Sequence, residues 1–145
     1  ALKRAVRLGE RVVAPRVSDL GAIVASTSGK IELETVGESS EDKILARLVQ
    51  RAVLSVFGKS FGAAELEEVV AAFKEGLAIT VSDSMPSAEY VRQVGQVKPL
   101  LAAVRKLGAT EPASTASALE FILEGLHLGK KLNKDVQAGH YRYRG

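Results

Sequence analysis

Residues 114–134 read STASALEFILEGLHLGKKLNK. Leu119, Ile122, Leu123 and Leu126 recur at helical spacing, and Ala118, Phe121, Gly125 and Leu128 widen the stripe. That is the pattern of a helix with a buried face. Glu120, Glu124, His127 and Lys131 fall three or four apart, so they are expected to line an opposing polar edge. What the apolar face packs against has to be sought in the rest of the chain.

Working back from this segment, Thr110 and Pro112 mark its start, and Gly108 ends the element before it. Tyr90, Val94, Val97, Leu101 and Val104 keep a helical period that Gly95 and Pro99 interrupt. Two short helices are expected there, with Pro99 in the first turn of the second. Ser39 or Ser40 caps a longer helix that opens with Glu41 and Asp42, the acidic first turn a helix dipole favours. Ile44, Leu45, Leu48, Val49, Ala52, Val53, Val56 and Phe57 give it a continuous apolar face, and Gly58 is its expected end. Leu66, Val69, Val70, Phe73 and Leu77 form the next helical face. The short connection predicts an antiparallel pair. Its basic edge (Lys43, Arg47, Arg51) could face the acidic edge of Glu65, Glu68 and Glu75 or await an anionic partner, and neutralisation within the chain is the expectation. Ala1–Leu8 reads as a helix end stopped by Gly9, and Ser18 or Asp19 caps another helix running to about Ser26. Ile31–Val36 and Ala78–Ser82 carry the period-2 pattern of strands. The fold class is therefore mainly α, a bundle of about six or seven helices, with one small two-stranded element pairing 31–36 with 78–82. Residues 135–145, DVQAGHYRYRG, read as a flexible tail.

The chain has 145 residues, no cysteine and a formal charge of +3. Disulfides and thiolate metal sites are excluded, which fits a reducing, cytoplasmic setting. The longest apolar runs are about five residues against the roughly 20 that a membrane helix needs, so no membrane partner is expected. Residues 1–16 and 126–145 each hold five basic side chains against one acidic, leaving −5 between them. Basic ends on an acidic middle suit anionic or protein partners as well as simple solubility. The chain begins at Ala1 and its only methionine is Met85, so a fragment or a processed product is expected.

Catalytic and ligand-binding patterns fail one by one. Glu124-x-x-His127 has the ligand spacing of di-iron bundles, but the other histidine, His140, has Gln137 three residues before it. Two histidines without cysteine leave too few preferred zinc ligands. Ser28-Gly29-Lys30 looks like the end of a phosphate-binding loop, but Val24 and Ile31 stand where Gly and Ser or Thr are needed. Ser40-x-x-Lys43 lacks the companion elements of penicillin-recognising enzymes, so Ser40 reads as a cap. No catalytic, cofactor-binding or metal residue is assigned. The interleaved rings and cations of His140–Arg144 could stack on bases and touch phosphates, so a stand-alone nucleic-acid-binding module using the basic termini is the alternative reading.

Two groups of residues carry a family resemblance. Leu2-Lys3-Arg4-Ala5-Val6-Arg7-Leu8-Gly9-Glu10 and the following Val13–Leu20 resemble the end of the lid in magnesium-chelatase I-subunit and MoxR-type AAA+ ATPases. There an arginine-rich helix is followed by glycine, a Val-x-Pro element and a helix beginning near an Asp. Ser28–Glu34, Val81–Tyr90, Glu120–Leu128 and Asn133-Lys134 are similar to the C-terminal extension of the same ATPases. The resemblance implies residues 1–29 as a lid end, 30–134 as a helical domain and 135–145 as the tail. It implies a cytoplasmic, oligomeric parent that uses ATP and Mg and works as a ring on a partner. Walker A and Walker B elements have no counterpart in this sequence, and the lid's ATP-sensing arginine would precede the first helix, so neither Arg4 nor Arg7 takes that role. The expected job is non-catalytic: packing on the AAA+ core, subunit assembly or client binding. Arg4, Arg7, Arg11 and Arg16 are the candidates for contact with the core. Glu124, His127, Lys131 and Lys134 are the candidates for contact with a partner.

Overall fold

A computed structural model describes residues 1–20 and 40–145 of the chain. Six helices are delimited: α1 (Leu2–Leu8), α2 (Ser40–Ser60), α3 (Glu67–Lys74), α4 (Ser87–Gly95), α5 (Lys98–Lys106) and α6 (Pro112–Leu128). Residues 17–20 are also helical. The rest of the helix expected to reach Ser26, and the strand expected at Ile31–Val36, lie outside the described residues.

The chain is mainly helical with a small antiparallel sheet, as its periodicities predict. α6 is the hub. Eleven of its residues are buried, among them Leu119, Ile122 and Leu123 with no exposed surface. Pro112 occupies its first turn, and Ser114 Oγ accepts the Glu111 N–H at 3.1 Å, which starts the helix. α4 and α5 pack on α6 from one side, and α2 lies on another. α4 and α5 break after Gly95, with Pro99 in the first turn of α5. Tyr90, Val94, Leu100 and Val104 carry those helices into the core, where Val69 and Phe73 of α3 join them.

Three expectations are corrected here. α2 does not end at Gly58; it runs through to Ser60. It also lies on α6 instead of neutralising α3. Glu65 bonds Lys106 of α5, while Lys43, Arg47 and Arg51 stay exposed. The apolar face of α2 is only half covered: Val53 is buried, whereas Ile44, Leu48 and Val56 are each more than half exposed.

The third correction concerns the expected tail. Residues 133–144 fold into a hairpin of β2 (Asn133–Gln137) and β3 (His140–Arg144). Strand β1 (Ala78–Ser82) pairs antiparallel with β3, giving the order β1-β3-β2. Val81 stands opposite Tyr141, and Ile79 opposite Tyr143. Ala138 and Gly139 form the two-residue turn with φ 47° and 79°, both left-handed. That is the backbone a tight hairpin with right-twisted strands requires. Strand 78–82 thus finds its partner 60 residues later in the chain, in the segment that had looked unstructured.

Candidate functional site

The polar positions of α6 do not form an exposed edge. Glu120 is 3% exposed and Glu124 9%. A buried carboxylate is tolerated only when hydrogen-bonded or paired, and both are. Glu120 accepts the Tyr90 hydroxyl at 2.6 Å on one oxygen and the Ser18 N–H at 2.9 Å on the other. Glu124 Oε2 accepts both the Tyr143 hydroxyl at 2.6 Å and Lys134 Nζ at 2.7 Å. The ammonium of Lys134 also lies 4.9 Å and 5.6 Å from the ring centroids of Tyr141 and Tyr143, within the range of cation–π attraction. One turn of α6 therefore ties down α4 through Tyr90 and the hairpin through Tyr143.

Burial, followed by the charge and hydrogen bond of the facing glutamate, pushes the Tyr90 and Tyr143 phenols far above their ordinary value. They are donors held protonated, unsuited to act as bases. Burial also raises the Tyr141 phenol, with Asp83, Glu120 and Glu124 adding to the effect. Beside these groups is a cavity of about 200 Å³ with apolar walls that include Val49 and Val53. No group of three or more His, Asp or Glu side chains among the described residues is placed to hold a metal ion.

The basic N-terminal set divides. Arg4 is 6% exposed, bonding Asp19 at 2.5 Å and the Ala14 carbonyl at 2.8 Å. Arg16 is 3% exposed. It donates to the Met85 carbonyl and to Ser87 Oγ, each at 2.9 Å, and its guanidinium lies 4.6 Å from the Tyr90 ring centroid. Glu10 accepts the Ser87 N–H at 2.7 Å and lies 3.7 Å from Arg16. Arg4 thus braces the N-terminal segment internally, and Arg16 pins that segment to the start of α4, so both are engaged within the chain. Arg7 and Arg11 stay exposed, Arg7 making a 3.4 Å contact with the Asp83 carbonyl. Burial acts to raise the Asp19 carboxyl, but bonds from Arg4, the Arg16 N–H and the terminal ammonium outweigh it and hold it below its usual range. Glu10 is likewise held low, the bond from Ser87 and the charges of Arg16 and Arg4 outweighing burial.

The second expected set also separates. Glu124 and Lys134 are joined in the buried cluster. His127 is half-buried, with Nδ1 3.1 Å from the Leu132 carbonyl and its ring against Tyr143 at 6.4 Å. Lys131 is exposed, on the rim of a groove bordered by Phe57, Phe61 and Val70. Nor are the two tyrosine rings of His140–Arg144 free to stack on bases, although His140 is exposed. Tyr143 is 3% exposed, and Tyr141 is half-buried beside Lys134.

Sequence reading passed over the apolar side of α1. Leu2 and Val6, four residues apart, are 65% and 73% exposed, with Lys3 and Arg7 exposed beside them. Val12 and Val13 continue the patch at 48% and 46%. The signal was the spacing of Leu2 and Val6, which puts them on one side while Arg4 and Ala5 turn inward. No protein-family model matches the chain, and neither a curated protein nor a solved structure does.

Proposed function

We propose that the chain is a non-catalytic helical domain of a magnesium-chelatase-like AAA+ ATPase, and that it docks on the ATPase core through the outward side of α1. The observation that carries this reading is the two-sidedness of α1. Its inner side is buried at Arg4 and Ala5, while Leu2 and Val6 present apolar surface with Lys3 and Arg7 exposed beside them. Burying a Leu or Val side chain is worth about 1.5–3 kcal/mol, and exposed basic groups around it add orientation and association rate. Arg7 and Arg11 are the basic contacts in this proposal; Arg4 and Arg16 hold the surface in place from behind.

ATP and Mg belong on this reading to the parent's core. Arg4 and Arg16 are buried among their own partners, so neither fits a phosphate-binding role. The chemistry of this domain is positional: it sets the pose of the lid end relative to the core, and through it the assembly of subunits.

The test is ring assembly and ATP turnover of the parent ATPase carrying Val6→Glu. Assembly and turnover should fall at least about tenfold, since a desolvated charge replaces an apolar contact. Val136→Glu, at a comparably exposed valine (66%) on the hairpin, should leave both unchanged. A Val6→Glu protein that assembles and turns over normally would sink the proposal.

A further inference from the structure

The cavity beside Glu120 and Glu124 is lined by groups with unused hydrogen-bonding capacity and by hydrocarbon. Ser18 is in its wall, and the buried Ser18 Oγ has no hydrogen-bond partner among the described residues. Such an orphan costs free energy unless something completes it. Glu124 receives both of its donors on Oε2, which leaves Oε1 unengaged among the described residues. Tyr141 also lines the space, and its hydroxyl has no partner among those residues. Val17, Val49, Val53 and Leu128 supply hydrocarbon to the same wall, with Gln50 among them.

Electrostatics choose the sign of an occupant. Two carboxylates face one ammonium, that of Lys134, and no cationic side chain forms an ion pair with Glu120 among the described residues. Formal charge in the cavity is therefore −1. Lys134 cannot fill the cavity itself, because its ammonium is already seated on Glu124 Oε2 against the two tyrosine rings. A multivalent metal is poorly suited, with two carboxylates as the acidic ligands in the wall.

We propose that this cavity binds a small aliphatic primary amine as its ammonium ion, the charged end toward Glu120, Glu124, Ser18 and Tyr141 and the hydrocarbon toward Val49 and Val53. A volume of about 200 Å³ accommodates a short chain, below the range of typical drug-sized sites. The site is distinct from the α1 surface and does not depend on the parent's identity.

The experiment titrates the chain at neutral pH with n-butylamine, butyrate and 1-butanol, following amide chemical shifts and heats of binding. Saturable binding of the amine is expected, with butanol at least about tenfold weaker, as loss of a charge-assisted hydrogen bond implies, and with butyrate not binding. Val49→Phe, which fills the apolar end, should abolish binding with the native circular dichroism spectrum retained. Ser18→Ala and Glu124→Gln should each weaken it, Glu124→Gln at least about tenfold. No saturation by the amine, equal binding of butanol or butyrate, or undiminished binding by a folded Val49→Phe protein would overturn the proposal. Nα-acetyl-lysine methylamide separates a free amine from a partner's lysine: tighter binding by butylamine supports the free amine, and tenfold tighter binding by the lysine amide refutes it.

Discussion

Gly125→Ala tests how α2 is held on α6. A Cβ at position 125 would stand 2.1 Å from Phe57 Cδ2 and 2.4 Å from Cγ. Those atoms belong to the root of the ring, not to the loose end of a side chain. The ring is also wedged between Phe61 and Phe121, at centroid distances of 5.5 Å and 5.8 Å. Alanine in mid-helix gains about 1 kcal/mol over glycine from backbone propensity. Forcing an extra methyl into packed surroundings costs about 1–3 kcal/mol. The clash should win, leaving the variant about 1 kcal/mol less stable and its melting temperature lower by about 3 °C. Removing the obstacle should reverse the sign. In a Phe57→Ala background the same substitution should stabilise by about 1 kcal/mol, a coupling of about 2 kcal/mol between the two sites. Urea denaturation followed by circular dichroism on the four proteins measures this. If Gly125→Ala stabilises the wild-type chain as much as the Phe57→Ala chain, Phe57 does not pack on Gly125.

Four further outcomes follow from the buried cluster, the hairpin and the N-terminal segment. Tyr143→Phe leaves Glu124 with Lys134 alone and should cost about 2 kcal/mol in denaturant unfolding, as hydrogen bonds to charged groups do. Arg16→Lys keeps the charge but loses the fork that reaches both Met85 and Ser87; destabilisation of about 2 kcal/mol is expected, where an interchangeable cation would show none. Ala138→Gly should stabilise by about 1 kcal/mol, because alanine at φ 47° occupies a left-handed conformation that glycine adopts without strain. Asp19 and Glu10 have folded-state values below their unfolded ones, so their contribution is present above the unfolded carboxylate range, about pH 4, and is lost as pH falls through the folded values. Acid titrations should therefore show a shallower loss of stability in Asp19→Asn than in wild type, and equal slopes would contradict the assignment.

The helices were legible because they are punctuated locally. Gly95 and Pro99 divide α4 from α5, and the Leu119–Leu126 stripe announces α6, all within a few residues. The hairpin was not, since β2 reads NKDVQ without apolar alternation and lies largely exposed. Its partner β3 does alternate, with Tyr141 and Tyr143 two apart, but His140, Arg142 and Arg144 between and around them make that stretch look solvated. Buried glutamates were missed for a different reason. A carboxylate on a helix reads as exposed unless its partners are known, and Tyr90 and Tyr143 lie 30 and 19 residues away from the glutamates they satisfy. Arg16 is the same case, reaching Met85 and Ser87 across 69 and 71 residues. Tertiary partnering over such separations leaves no mark in local periodicity. The exposed apolar pair of α1, by contrast, was visible in the four-residue spacing of Leu2 and Val6 and was overshadowed by the arginines beside it.

The claim that α1 carries the docking surface is tested most directly by equilibrium binding of the isolated chain to the ATPase core of its proposed parent, read by fluorescence anisotropy. The wild-type chain should bind saturably, with Val6→Glu at least about tenfold weaker and an unchanged circular dichroism spectrum. Absence of binding, or equal affinity of the wild-type and Val6→Glu chains, would contradict it.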